Sequence, residues 1–218
     1  MVREIGILMS QPMIVAGLDK IKTQTRRTQG LEEYNKLPDK WHVYPHPGGG
    51  FIFTDAYFYD VKDIPIIDKT GKIPRYHVGD HLYWKETWRY SHHIDGEACP
   101  CYKADNMCKC GRPSRISVAE SKWKSSTFMF KKDARIWSTV LKVEVQQLKA
   151  MTEEDAMDEG VTEKVATYLG FSCVNHHPGD GTYYRNIYKY LWAHLNGTWL
   201  PDLWVWKYTM TEPEVKVG

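Results

Sequence analysis

The chain has 218 residues, 42% of them hydrophobic and 26% charged, with a formal net charge of +2. This is the composition of a soluble globular class, and it excludes a broadly basic nucleic-acid binder; any basic footprint must be local. No apolar run is long enough to span a bilayer, and the run within Met1 to Ser10 is too short, and too close to Glu4, for a signal peptide.

A cytoplasmic chain is therefore expected, with its five cysteines starting as thiols. The 9 tryptophans and 14 tyrosines leave two readings open, a β-rich core of large side chains or a cleft with stacking platforms for bases.

Arg3 to Met9 predicts a short buried strand. Ser10 is placed to cap the helix that follows, with Pro12 in its first turn and Met13, Ile14, Ala16, Gly17 and Leu18 on its apolar face through Asp19. Lys22-Thr23-Gln24-Thr25-Arg26-Arg27 then concentrates an amine, two hydroxyls and two guanidiniums in six residues. Such a cluster suits a site that holds phosphate and does chemistry beside it.

From Gly30 to Pro74 the signals are turns and short strands, with a loop over Pro45 to Gly50 and a strand restarting at Phe51-Ile52-Phe53. After the Gly79-Asp80 turn, His81 to Tyr90 alternates, so that Leu82, Trp84, Glu86 and Trp88 share one face of a predicted strand. Ser91 to Ser126 reads as a polar, cysteine-bearing insertion. Arg135 to Val145 predicts a strand by β-branched content. Thr152 begins a helix, with Asp155 as capping partner and Gly160 as its end. Thr182 to Asn196 predicts a helix with Ile187, Tyr190, Leu191, Trp192 and Leu195 inward, and Trp204 to Met210 a last strand. Strands separated by modest helices favour a mixed α+β barrel over a doubly wound sheet.

Several of these pieces together resemble the ASCH domain family, in particular its phage and prophage type. They are Ile7-Leu8-Met9-Ser10 with Pro12-Met13; Lys22 to Arg27; Val78-Gly79-Asp80 with Trp84-Lys85-Glu86-Thr87-Trp88; Arg135 to Val145; Met151 to Ala156 with Glu159-Gly160; and Leu195-Asn196-Gly197 with Trp204-Val205-Trp206. The resemblance spans nearly the whole chain. It implies a single domain over residues 1–218 with a PUA-like fold, a small mixed β-barrel with flanking helices, interrupted by the cysteine-bearing insertion at 91–126.

One ASCH branch is similar to amidohydrolases that remove the acetyl group from N4-acetylcytidine by means of a lysine, a threonine and a glutamate. The Lys-Thr-x-Thr element carries the first two onto Lys22 and Thr25, and the glutamate maps to Glu159. Amide hydrolysis needs a nucleophile, a proton acceptor and a stabilised oxyanion. Thr25 would attack, Lys22 would take its proton if burial beside Arg26 or Arg27 lowers its pKa, and Glu159 would protonate the leaving amine or hold a water. On a regular strand Lys22 and Thr25 face opposite ways, so the reading demands irregular backbone between Ile21 and Arg26.

Around these three, Arg26 and Arg27 are candidate phosphate or carboxylate ligands, with Trp84, Trp88 and Arg135 shaping the pocket. Glu86 either joins the pocket or is a buried partner of Arg26 or Arg135. The expected substrate is an acylated or modified nucleobase or nucleoside. The alternatives are a non-catalytic reader of single-stranded or modified nucleic acid, or a ribonuclease, with Lys122, Lys124, Lys131 and Lys132 lining a groove or merely a solvated edge. Cys99, Cys101, Cys108 and Cys110 form Cys-x-Cys-x6-Cys-x-Cys, which suggests a structural tetrahedral zinc in a knuckle; a redox-labile loop or mixed disulfides are the other readings. Cys173 reads as a buried residue, and His92-His93 and His176-His177 as loop residues. No organic cofactor is expected.

Overall fold

The computed structural model describes residues 2–46, 49–55, 71–92, 98–112, 122–171 and 182–216. Cys173, His93, His176 and His177 lie outside these residues. The strands are β1 (Glu4–Leu8), β2 (Gln24–Arg27), β3 (His42–Pro45), β4 (Phe51–Thr54), β5 (His81–Lys85), β6 (Trp88–His92), β7 (Ala98–Tyr102), β8 (Ile136–Gln147), β9 (Trp204–Met210) and β10 (Glu214–Val215). The helices are α1 (Gln11–Leu18), α2 (Glu153–Asp158), α3 (Glu163–Tyr168) and α4 (Tyr183–Asn196). The chain is therefore α+β. Among the described residues no helix is long and apolar enough to cross a membrane.

The main sheet runs β1-β5-β8-β9-β2, with β10 beside the start of β8. Strand β1 lies parallel to β5, and the other neighbours are antiparallel. Strand β8 is the spine. Its first residues pair with β5 and its remainder with β9, and the register slips between Val140 and Lys142. A bulge of this kind bends a strand and sharpens its twist, so one strand serves two halves of the sheet. The described pairings leave β1 and β2 as the two ends of an open sheet and do not close a barrel.

Ile7, Leu82, Trp84, Ile136, Val205, Trp206 and Tyr208 fill the core against α1 and α4. Trp84 is fully buried, and its indole N–H donates to Ser138 Oγ at 2.9 Å, which removes the cost of burying that donor. Its ring lies so close to α1 that a Cβ at Gly17 would meet it at 2.2 Å.

The alternation from His81 does not continue as one strand. Strand β5 ends at Lys85, and Trp88 opens a separate ribbon in which β6 pairs with β7. The break falls at Glu86, whose buried carboxylate turns to a guanidinium instead of sharing a face with two tryptophans. Trp88 consequently belongs to a second small core with Tyr102, Met129 and Ala134. The excursion from the main sheet thus begins at Trp88, ahead of the expected boundary at Ser91. In α4, Ile187, Leu191 and Trp192 are buried as expected, but Tyr190 and Leu195 are about half exposed.

Two helix ends position the site. After α1, Lys20 adopts φ 60°, the N–H of Lys20 bonds Gly17 O, and that of Ile21 bonds Ala16 O. After α2, Gly160 adopts φ 88°, its N–H bonds Met157 O, and the N–H of Val161 bonds Ala156 O. Both are Schellman ends, closed by a left-handed residue. They face each other, and the Thr23 N–H donates to Asp158 O at 2.8 Å.

A Cβ at Gly160 would meet Ala16 Cβ at 2.6 Å and Lys22 Cβ at 3.0 Å. Gly160→Ala combines left-handed strain with overpacking and is expected to cost about 2–4 kcal/mol, read from the midpoint of urea unfolding. An unchanged midpoint would show that the two helix ends yield freely.

Candidate functional site

A cavity of about 470 Å³ opens between the end of β1, the start of α1, strand β2 and the face of α4. That is the size range of small-molecule sites. Lys22, Thr25, Arg26, Arg27 and Glu159 all line it, together with Ser10, Tyr188 and Trp192. The three residues expected to act therefore share one hollow. They do so through the irregular backbone that the reading demands: Ile21 to Thr23 lie outside regular structure, and β2 begins only at Gln24.

Lys22 is 1% exposed, and its amine has three acceptors. It donates to Gln24 O at 2.6 Å, to Glu159 O at 2.8 Å and to Glu159 Oε2 at 2.8 Å. An ammonium carries three N–H donors, so this geometry matches the protonated amine. One of the acceptors is a carbonyl at the end of α2, where a cation is favoured. Burial lowers the Lys22 pKa from its usual value; the Glu159 carboxylate opposes the shift, and the charges of Arg27 and Arg26 add to it. The proton on Lys22 is thus well seated yet weakened, and its nearest acceptor side chain is Glu159.

The second oxygen of Glu159 accepts from Arg26 Nη1 at 3.1 Å and from the Tyr188 hydroxyl at 3.4 Å. Burial raises the Tyr188 pKa well above its ordinary value, helped by the neighbouring Glu159 charge, so Tyr188 is a donor here and not a base. Arg26 also pairs with Asp155 at 2.8 Å, and Asp155 with Lys207 at 2.6 Å. With its amide oxygen facing the guanidinium, Gln146 accepts from Arg26 Nε at 3.1 Å and Nη2 at 2.9 Å.

Arg26 is therefore consumed in holding the site together and is not the anion ligand the sequence suggested. Arg27 is different. It donates to Leu8 O at 2.6 Å, has no carboxylate partner among the described residues, and keeps a buried Nε with no acceptor.

Thr25 is 3% exposed, lines the cavity, and its hydroxyl makes no hydrogen bond to another described residue. Ser10 sits at the N-cap of α1, but its side chain makes no capping bond, and its oxygen is buried without a partner among the described residues. The indole N–H of Trp192 is likewise buried and has no partner among the described residues. Buried polar atoms are nearly always satisfied. Ser10 Oγ, Arg27 Nε and Trp192 Nε1, all on cavity-lining residues, read as contacts kept for a ligand. The sequence did not single out Ser10, Tyr188 or Trp192 for this role. The i, i+4 spacing of Tyr188 and Trp192 on α4 was the available signal, and it also describes a core face.

Four expected pocket residues lie elsewhere. Trp84 is sealed in the main core and Trp88 in the second one. Arg135 grips Glu86 with two bonds of 3.0 Å, Nε to Oε1 and Nη2 to Oε2, and binds Asp105 at 2.7 Å. It also lies 4.0 Å from the centre of the Tyr102 ring. Of the two readings of Glu86, the structural ion pair holds; a carboxylate so buried requires such a partner. In the insertion, Cys101 and Cys108 are bonded to each other, while Cys99 and Cys110 remain thiols. The expected set of four thiols is thus two thiols and one disulfide. In that state no group of three or more His, Cys, Asp or Glu among the described residues is arranged to hold a metal.

A second hollow, of about 650 Å³, lies along Tyr83, Lys85, Trp88, Lys124 and Thr127 to Lys131. Phe128 and Phe130 stand 69% and 63% exposed on it. Lys124 lies over the rings of Trp88 and Tyr90, Lys85 donates to Thr127 O at 2.5 Å, and Lys131 pairs with Glu4. Lys122 and Lys132 are exposed but do not line it. Ser126, next in the chain to Thr127, lines the first cavity. The two hollows are neighbours across one turn of chain.

No family model, curated protein or solved structure matches this chain.

Asp155 gives the site an acid limit. Burial pushes its carboxyl up, but the Lys207 hydrogen bond, the Arg26 charge and the Thr152 N–H outweigh this and leave it below its ordinary value. The unfolded chain then takes up the proton first as pH falls, so this stabilisation is present above the ordinary carboxylate range and is lost as pH falls through that range and below it. Asp155→Asn should cost about 1–3 kcal/mol at neutral pH and flatten the acid limb of melting temperature against pH. An acid limb as steep as that of the parent would assign the loss to other carboxylates.

Proposed function

We propose that this protein hydrolyses the amide bond of an N-acylated nucleobase or nucleoside, in the manner of the N4-acetylcytidine amidohydrolases to which one branch of the ASCH family is similar. The observation that carries the reading is the convergence of Lys22, Thr25 and Glu159 on one cavity, with Lys22 and Glu159 in hydrogen-bond contact at 2.8 Å. The same resemblance leads us to read the bent sheet as PUA-like, and the double pairing of β8 is in keeping with that.

The chemistry begins with proton transfer inside the buried pair, from the Lys22 ammonium to the Glu159 carboxylate. The neutral amine then takes the Thr25 hydroxyl proton as Oγ1 bonds to the acyl carbon. The oxygen that becomes negative is stabilised by the Arg27 guanidinium, whose Nε has no other acceptor among the described residues. The C–N bond breaks as Glu159 returns its proton to the exocyclic amine, leaving an acyl-threonine. Water repeats the sequence: Lys22 takes its proton, the ester bond breaks, and Glu159 protonates the departing Thr25 oxygen. The sum is amide plus water to amine plus carboxylic acid, with the pair restored.

Release of cytidine from N4-acetylcytidine, followed by chromatography, tests this. Lys22→Met and Thr25→Val should each lower kcat/KM by at least about a hundredfold while the protein still unfolds cooperatively. Turnover by a folded Thr25→Val equal to that of the parent would eliminate the threonine as nucleophile.

A second reading is favoured by the neighbouring hollow, namely that the same cavity receives a base carried on a single strand. Three lysines beside two exposed phenylalanines combine charge for a backbone with faces for bases. Phe128→Ala should weaken binding of single-stranded RNA by about 1–3 kcal/mol, and Lys124→Glu should also lower its salt dependence; fluorescence anisotropy reads both. Parental affinity in both variants would confine the substrate to free nucleosides.

A further inference from the structure

The four cysteines of the insertion lie in a fixed relation that the spacing alone does not reveal. Residues 98–102 and 107–109 form a hairpin in which Cys101 lies opposite Cys108. The Lys109 N–H donates to Pro100 O at 2.8 Å, and the Tyr102 N–H to Met107 O at 2.9 Å. Asn106 turns the chain with φ 57°. In an antiparallel pair this register sets Cys99 opposite Cys110, and the period of two puts all four side chains on one face. The contacts agree: Cys101 and Cys108 are bonded, and the Cys99 and Cys110 thiols are hydrogen-bonded to each other. Cys99 sulfur also meets the backbone N–H groups of Lys109 and Cys110.

We propose that this hairpin, when reduced, is a structural zinc site with Cys99, Cys101, Cys108 and Cys110 as its four ligands. Four sulfurs on one hairpin face satisfy the tetrahedral, all-thiolate set that zinc takes in closed sites. Loading first requires the Cys101–Cys108 bond to be broken. A dithiol reductant supplies two electrons and two protons, becoming a disulfide itself and leaving two cysteine thiols. Binding then releases four protons as four S–Zn bonds form.

The metal would brace a wall of the candidate site from outside it. Tyr102, next to Cys101, donates its hydroxyl to Asp133 O at 2.7 Å, and Lys109 donates to Lys132 O at 2.7 Å. These two contacts hold the segment that leads back to Ser126 at the cavity. The metal itself would have no open position and no part in the chemistry.

The full chain, kept under a dithiol reductant and supplied with zinc chloride, should bind about one zinc per chain. Cobalt in its place should give the intense sulfur-to-metal absorption and visible bands of a tetrahedral four-thiolate ion. Cys99→Ser and Cys110→Ser, at partly exposed positions, should each weaken zinc binding at least tenfold while the protein still unfolds cooperatively. Oxidation should eject the metal and leave two titratable thiols in the hairpin. Four reactive hairpin thiols with no bound zinc, an octahedral cobalt spectrum, or parental affinity in Cys99→Ser and Cys110→Ser would each overturn the proposal.

Discussion

A lysine ammonium closed off from water, between two helix ends, governs the arrangement of this molecule. Lys22 has nowhere to send its charge except to Gln24 O and to the carbonyl and carboxylate of Glu159. Burying a charge without partners is prohibitive, and with partners it is only tolerable. The backbone around it must therefore be held to close tolerance. The left-handed turns at Lys20 and Gly160 do this, with the Thr23–Asp158 hydrogen bond tying one helix end to the other. Glu159 is fixed in turn by Arg26, and Arg26 by Asp155, so the charge is balanced over a chain of groups.

That chain separates two adjacent arginines into different tasks. Arg26 is fully occupied by Asp155, Glu159 and Gln146. Among the described residues Arg27 keeps a positive charge with no carboxylate against it and an Nε with no acceptor. A site that must meet a developing negative charge needs a cation of the second kind, already oriented and not already neutralised. The Ser10 and Trp192 atoms left without partners among the described residues point the same way: α1 forgoes a side-chain cap, which ordinarily contributes about 1 kcal/mol, and its serine is a cavity-lining residue.

The ribbon of β6 and β7 stands apart from the main sheet and carries its own small core. Its connection to the site is indirect. The Glu86–Arg135–Asp105 pairs and the Tyr102 ring hold it to the start of β8, and the segment that returns from it supplies both Ser126 and the exposed phenylalanines. The ribbon therefore borders the neighbouring groove through Trp88 and reaches the cavity through Ser126.

Local chemistry wrote much of this into the chain. Strand β1, the Thr152–Asp155 capping box, the glycine end of α2 and strand β9 follow from short-range pattern and appear where expected, because caps and periodicities act within a few residues. The Lys22-Thr-x-Thr25 element was also legible, including its need for irregular backbone. What the chain alone left open was partnership between distant groups. Glu86 between its two tryptophans reads equally as a pocket acid or a buried ion-pair member, and only the approach of Arg135 from 49 residues away decides it. The same holds for Arg26 against Arg27, and for cysteines whose register depends on a hairpin. Charge and sulfur act through space, and their neighbours are set by packing rather than by sequence spacing.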